Sequence, residues 1–457
     1  MCGRFEKMAT AGTAPNALRP YVPWLVAFAG FAFDLAAFWP GQMSFDSAYA
    51  WWQARGGTST NIVPPLFVWV WRACDRIVEG PGALFVFHLA LFWCGLALLA
   101  RALRFAPVAS AAAMLLVALA PVSLVLRGQV WTDVGLFAAL TFATGALASV
   151  EIDLRRHWLL FPIALALFYA AALRHNALPA VLPFVAWFMW LLLRRFTAAS
   201  PARVTVATLV GLLAIACAAR WLDASVDRHV EVWPSLAQFD LAAVSIATGQ
   251  MRLPDFMIGP GLDVAELAQA FRPWSNVPML VGTQHGIRDP FSDHSAQELA
   301  TLRTAWLGAI TDEPRAWFAH RLRLSRALFG THAVEWPREL IYVDDEVGYR
   351  DNPPIARTTN ALHAGLMRAA AILAVTAALA AWPYLVLGLV GGAVAWRRRG
   401  DMTARLAAIV LLSAWLYAVP LTMIAPSAEL RYLAWPCVAS LLAFACAAFA
   451  PRSGMRC

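Results

Sequence analysis

Apolar residues run along this chain in long blocks separated by short polar stretches, without the strict alternation of strands. Ten blocks approach or reach the roughly 17 to 25 residues needed to cross about 30 Å of hydrocarbon: 21–39, 82–101, 108–126, 133–150, 158–173, 177–193, 204–222, 367–395, 404–425 and 431–450. A backbone crossing lipid must satisfy its own hydrogen bonds, so each block is expected to be a helix. The pattern predicts an all-α polytopic membrane protein of about ten transmembrane helices. It divides into an N-terminal transmembrane module (1–222), an extracytoplasmic domain (223–366) and C-terminal transmembrane helices (367–457).

Two connections are long enough to hold structure of their own. In 40–81, Ser44 can cap a short helix running through Arg55, on which Phe45, Tyr49 and Trp52 follow helical spacing. Gly56 to Asn61 breaks it, and Pro64-Pro65 opens a second, aromatic helix through Ile77. Both read as juxtamembrane helices, the tryptophans of the second held at headgroup depth. In 223–366, the stretches 296–310 and 314–329 read as helices. They carry Arg303, Arg315, Arg321, Arg323 and Arg326 among Leu and Trp, a pattern suited to lying over the membrane surface. The segment from His285 to His294 has no metal-ligand spacing and reads as a polar loop, and Asp344-Asp345-Glu346 as a solvated turn.

Composition agrees with the pattern. With 60% hydrophobic and 14% charged residues and 21 Trp in 457 positions, the chain holds more apolar surface than a soluble core can bury. The net charge of +8 sits in clusters at the ends of alternate runs (Arg4, Lys7 and Arg19; Arg101 and Arg104; Arg155 and Arg156; Arg194, Arg195 and Arg203; Arg397 to Arg399 and Arg405; Arg452 and Arg456). That distribution fits the positive-inside rule, with both termini cytoplasmic, and gives no reason to invoke a nucleic-acid partner. The first run lacks a small-residue cleavage site and is expected to stay as a helix. The seven cysteines show no metal or disulfide pattern, and 223–366 contains none. Abundant Ala, Arg and Trp with almost no Lys suggest a high-GC bacterial gene and a bacterial inner membrane.

The connections on the outer side carry ionisable groups where a plain turn would suffice. These are Asp46 after the first run, Arg127 to Asp133, Arg174-His175-Asn176 and Pro426 to Tyr432. Charge at the end of a span is costly when idle, which makes these residues functional candidates; the competing reading is arginines that snorkel to lipid phosphates. Asp46 and Asp133 offer a general base or a pair of ligands for a divalent metal. Arg127, Arg174, His175, Asn176, Glu429, Arg431 and Tyr432 offer partners for a phosphate-bearing substrate. A carboxylate that deprotonates a hydroxyl opposite cations that stabilise a departing phosphate suits transfer of a sugar from a polyprenyl-phosphate carrier. Asp34 in the first run and His88 in the second fit hydrogen bonding within the bundle better than catalysis.

In these features the chain resembles the GT-C superfamily of integral membrane glycosyltransferases, which includes protein O-mannosyltransferases and the aminoarabinose transferases of lipid A. The likeness rests on many spans, the acidic motif Phe45-Asp46-Ser47 in the first outer loop, juxtamembrane helices after it and a large later outer domain. Many members carry Asp-Glu at the motif, where this chain has Asp46-Ser47. The resemblance implies that Asp46 is the base acting on the acceptor, in an enzyme taking a polyprenyl-phosphate sugar donor, surrounded by membrane lipids, to an extracytoplasmic acceptor with its site facing the periplasm.

Three further readings compete, one of them a structural or assembly protein, which would show no convergent site and tolerate change at all these polar residues. A transporter or flippase would show inverted repeats and paired Gly/Pro interruptions, which the sequence lacks. An O-antigen ligase or polymerase also has a large outer loop, but the acidic motif directly after the first run argues against it. No Gly-rich phosphate loop opens a helix after a strand, which disfavours direct use of a nucleotide sugar.

Overall fold

Proline breaks one of the apolar runs and leaves others continuous. In the computed structural model, which describes residues 19–196, 199–331, 348–356, 360–397 and 401–449, the run 108–126 is two helices bent by 66° at Ala120. Pro121 crowds the residue before it out of the helical region, and Ala120 takes φ −54, ψ 131. The run 367–395 likewise divides, with a 3-10 turn at Ala377–Leu379 between two helices. Pro183 and Pro420 lie inside helices that continue through them.

In chain order the helices are α1 (Val22–Phe38), α2 (Phe45–Ala54), α3 (Pro65–Asp75), α4 (Gly82–Ala102), α5 (Pro107–Leu119), α6 (Pro121–Arg127), α7 (Thr132–Ile152), α8 (Leu160–Ala172), α9 (Leu178–Phe196) and α10 (Pro201–Ala224). Then come α11 (Trp233–Thr248), α12 (Val264–Ala270), α13 (Val277–Gly282), α14 (Ala296–Asp312), α15 (Pro314–Phe329), α16 (Ala361–Ala374), α17 (Trp382–Trp396), α18 (Met402–Ile424) and α19 (Ala434–Phe449). Among the described residues there is no strand, only isolated bridges. The protein is a helical membrane protein: among the described residues 6 helices are long and apolar enough to cross a membrane, or up to 7 if the bent α5–α6 pair is one span. The helices α1, α16 and α17 are apolar but shorter, so the ten expected runs do not all become single full-length spans.

The bundle centres on α4, α7 and α19. Helices α4 and α7 cross closely because Gly95 and Gly145 face each other: a Cβ on Gly145 would come within 2.1 Å of the Gly95 carbonyl oxygen. Inside this core Arg127 forms a two-pronged ion pair with Asp34, Nε to Oδ2 at 2.7 Å and Nη2 to Oδ1 at 2.9 Å. Trp93 Nε1 also donates to Asp34 (2.7 Å), Arg127 Nη1 donates to the Ala118 carbonyl (2.9 Å), and the guanidinium lies over the Phe92 ring. Each charge is thereby satisfied without water, which is what allows both to be buried. His88 is also internal, 2.8 Å from the Tyr169 hydroxyl.

Helices α2 and α3 form where the Ser44 and Pro64-Pro65 signals place them. Their tryptophans are seated by protein: buried Trp51 donates to Asp75 Oδ1 (2.7 Å), buried Trp71 to the Gly80 carbonyl (3.0 Å), while Trp69 is exposed. Arg72 donates to the Ala54 and Gln53 carbonyls at the end of α2, tying the two helices together.

Helices α11 to α15 gather around one buried carboxylate, Asp240 of α11. It accepts from Trp306 (2.8 Å) and Trp317 (2.9 Å) and pairs with Arg321 Nη2 (2.6 Å). Arg321, expected on a surface-lying face, is therefore interior; it shares a helical stripe with Trp317, Leu324 and Leu328. Helix α14 starts from a capping box in which Ser295 and Glu298 hold each other; the Ser295 backbone N–H and the Arg288 guanidinium push Glu298 down to about 2. In the His285 to His294 segment, His285 pairs with Glu266 and Asp293 with Arg228. Asp344-Asp345-Glu346, Arg4, Lys7, Arg398, Arg399, Arg452 and Arg456 lie outside the described residues.

Candidate functional site

The connection after α1 runs alongside the connection after α6. Gln42 N–H donates to the Gly128 carbonyl (2.9 Å) and Val130 N–H to the Gln42 carbonyl (2.9 Å). Two side chains extend the contact: Ser47 Oγ donates to the Val130 carbonyl (2.9 Å) and Trp131 Nε1 to Ser44 Oγ (2.8 Å). This zipper sets the first turn of α2, with Asp46, beside the start of α7, with Asp133. Both carboxylates occupy first turns, where the helix macrodipole favours negative charge.

The third and fourth connections bring the cations. Arg174, after α8, donates from Nη1 to Asp133 Oδ2 (3.1 Å) and lies over the Tyr432 ring, 4.9 Å from its centroid. Burial works against the Arg174 charge, but Asp133, Tyr417 and Tyr432 outweigh it and raise its pKa. Arg431 stands on the 3-10 turn Leu430–Leu433 that leads into α19. Its Nη1 lies 2.6 Å from Asp46 Oδ2 and its Nε pairs with Glu429. The guanidinium lies over the ring of Trp131 (5.0 Å to its centroid) and over that of Tyr432 (5.5 Å). Ser427 Oγ donates to Glu429 Oε1 (2.8 Å) and lies 3.2 Å from the Tyr432 hydroxyl, which fixes the turn from below.

Six of the nine residues singled out from the sequence thus meet at one end of the bundle: Asp46, Asp133, Arg174, Glu429, Arg431 and Tyr432. Exposure within the group is graded, with the Asp46 side chain 58% exposed, Arg431 15% and Asp133 3%. Arg127, expected as a phosphate donor, does not join them; its side chain is 1% exposed and is consumed by Asp34. His175 turns towards the 56–61 break, with Nε2 3.1 Å from the Asn61 carbonyl and Nδ1 3.7 Å from Asp223. Asn176 is half-buried close to Tyr417.

Sequence reasoning gave Ser44 only a capping role and passed over Trp131, Ser427 and Tyr417. Trp131 and Ser427 sit within segments already noted as unusual, yet an aromatic or a Ser beside a span is too ordinary to stand out. It also passed over the support behind the turn: Ala428 N–H donates to the Trp274 carbonyl (2.8 Å), and Arg321 Nη1 donates to the Ala425 carbonyl (2.8 Å). The α11–α15 unit therefore holds the segment that carries Glu429 and Arg431. Among the described residues no group of three or more His, Cys, Asp and Glu is arranged to hold a metal ion. Chemically, the site presents an exposed carboxylate beside two enclosed, aromatic-backed guanidinium groups. No protein-family model matches this chain, and neither a curated protein nor a solved structure does.

Proposed function

We propose that this protein is a membrane glycosyltransferase of GT-C type that moves a sugar from a polyprenyl-phosphate carrier to an extracytoplasmic acceptor, in the inner membrane of a bacterium. The observation that carries the reading is the placement of Asp46, open to solvent, against Arg431 and within the electrostatic reach of Asp133, which is itself paired with Arg174. Arg431 and Arg174 bind the phosphate of the donor, as guanidinium forks suit phosphate oxygens. Asp46 accepts the proton of the acceptor hydroxyl as its oxygen bonds to the sugar C1. The bond from C1 to the phosphate oxygen breaks, and its electron pair leaves on the phosphate, where the two arginines stabilise it. Glu429 and Ser427 hold Arg431 in place. An apolar crevice at the α5–α6 bend, lined by Leu119, Pro121, Leu124, Met367 and Leu373 together with Gln42, is a suitable seat for a lipid chain.

The test is direct. Protein reconstituted in lipid is given a labelled polyprenyl-phosphate sugar, and release of polyprenyl phosphate is followed with and without EDTA, which also decides whether a divalent metal takes part. Asp46→Asn keeps the shape of the side chain but accepts no proton, so it is expected to lose about 10² to 10⁴ in rate at unchanged thermal stability. Transfer by Asp46→Asn near the wild-type rate removes Asp46 as the base, and no consumption of any such donor by the wild type removes the reading.

A further inference from the structure

Among the described residues, carboxylates outnumber guanidinium groups at the site. Counted in their ionised forms, three carboxylates (Asp46, Asp133, Glu429) face two guanidinium groups (Arg174, Arg431), leaving one negative charge in excess. An incoming anion meets a site that already repels it, with Arg431 engaged on both sides. One carboxylate has to yield. Glu429 is held by Ser427 two residues from Arg431 in the same turn, and Asp133 is enclosed and paired with Arg174. Asp46 is the exposed partner, and solvent-exposed ion pairs are weak. The guanidinium itself is fixed by the Trp131 and Tyr432 rings.

We infer, on the basis of the glycosyltransferase reading, that the donor binds by charge exchange, a singly charged phosphodiester taking the place of Asp46 on Arg431, so that seating the donor and freeing the base are one event. Exchanging one negative charge for another leaves the balance of the cluster unchanged. A diphosphate brings a further negative charge that neither arginine is free to match, so the site selects carriers linked to their sugar through one phosphate. Balance also holds through the reaction. As Asp46 gains the acceptor proton and loses its charge, the departing phosphate gains one, so the two arginines face the same total before and after transfer.

Binding without any acceptor separates this from the transferase reading. The probes are a farnesyl methyl phosphodiester and farnesyl diphosphate, titrated against wild type, Asp46→Asn and Arg431→Gln in lipid nanodiscs, with thermal stability recorded for each. Wild type is expected to bind the diester and to bind the diphosphate more weakly. Removing the competing carboxylate in Asp46→Asn is expected to tighten diester binding by about twofold to fivefold, since a weak competing pair lowers apparent affinity by the free fraction it leaves. Arg431→Gln is expected to abolish diester binding. Equal or weaker binding by Asp46→Asn, preference of the wild type for the diphosphate, or undiminished binding by Arg431→Gln each overturns the exchange. Tighter binding by Asp46→Asn together with no sugar transfer by the wild type upholds the exchange and removes the transferase reading alone.

Discussion

Arg321 reaches across 104 positions of sequence to donate from Nη1 to the Ala425 carbonyl at 2.8 Å, while its Nη2 stays 2.6 Å from Asp240. One guanidinium thus joins the core of the α11–α15 unit to the segment that presents Glu429 and Arg431. The α11–α15 unit is in this way part of the support of the site, whatever further role its surface has.

Arg321→Lys tests that support. Lysine keeps a charge beside Asp240 but cannot serve both acceptors with a rigid fork. The fold is expected to survive with a modest fall in melting temperature, while turnover drops more than donor affinity, because the position of Arg431 matters most in the transition state. A variant whose kinetic constants are unchanged would show that the Ala425 contact does not position the site.

For Arg127 and Asp34 the expected effect is on stability. Removing one member of a buried, hydrogen-bonded ion pair leaves the other charge stranded and costs about 3 to 5 kcal/mol. Asp34→Asn and Arg127→Met are each expected to unfold at clearly lower temperature. The double variant Asp34→Leu/Arg127→Met is expected to recover much of the loss. Donor affinity in whatever folded protein remains should be unaltered, and a selective loss of donor binding would return Arg127 to the site.

Arg174→Lys separates phosphate binding from snorkelling. A lysine can still reach Asp133 or a lipid phosphate, but it loses both the fork and the guanidinium contact over the Tyr432 ring. A fall of about tenfold to a hundredfold in kcat/KM, equivalent to about 1.4 to 2.7 kcal/mol, is expected. Full activity in the lysine variant would favour snorkelling.

His320 supplies a pH dependence with a definite sign. Burial, reinforced by Arg321 and Arg323, pushes it down to about 3 from the ordinary 6.5, although Asp240 Oδ1 lies 3.5 Å from its Nε2. The unfolded chain takes up a proton near 6.5 that the folded protein refuses until about 3. Its contribution to stability is therefore complete above 6.5 and is lost as the pH falls from there towards 3. His320→Phe, packed against Phe239 and Phe271, is expected to show a shallower fall in melting temperature below that pH than the wild type. Parallel curves for the two proteins would rule this linkage out.

Much of the framework could be read from local pattern. The membrane class follows from long apolar blocks, α2 and α3 from Ser44, Pro64-Pro65 and the Gly56–Asn61 break, and Asp46, Asp133, Arg174, Glu429 and Arg431 from charge stranded at the ends of spans. Span number was less readable, because a proline after Ala120 broke a run while Pro183 and Pro420 left theirs continuous. Which charges meet could not be read at all. Arg127 and Arg174 are equivalent in sequence, each an arginine at the end of an apolar run, yet one is sealed onto Asp34 in the core and the other stands over Tyr432 at the site. Arg431 finds Asp46 at the far end of the chain, and Arg321 turns inward because its helical stripe packs on α11. Periodicity and capping act over a few neighbouring residues and are written locally, whereas an ion pair is chosen by which groups the packed helices bring within a few ångströms and shield from water, a distance that exists only once the bundle has formed.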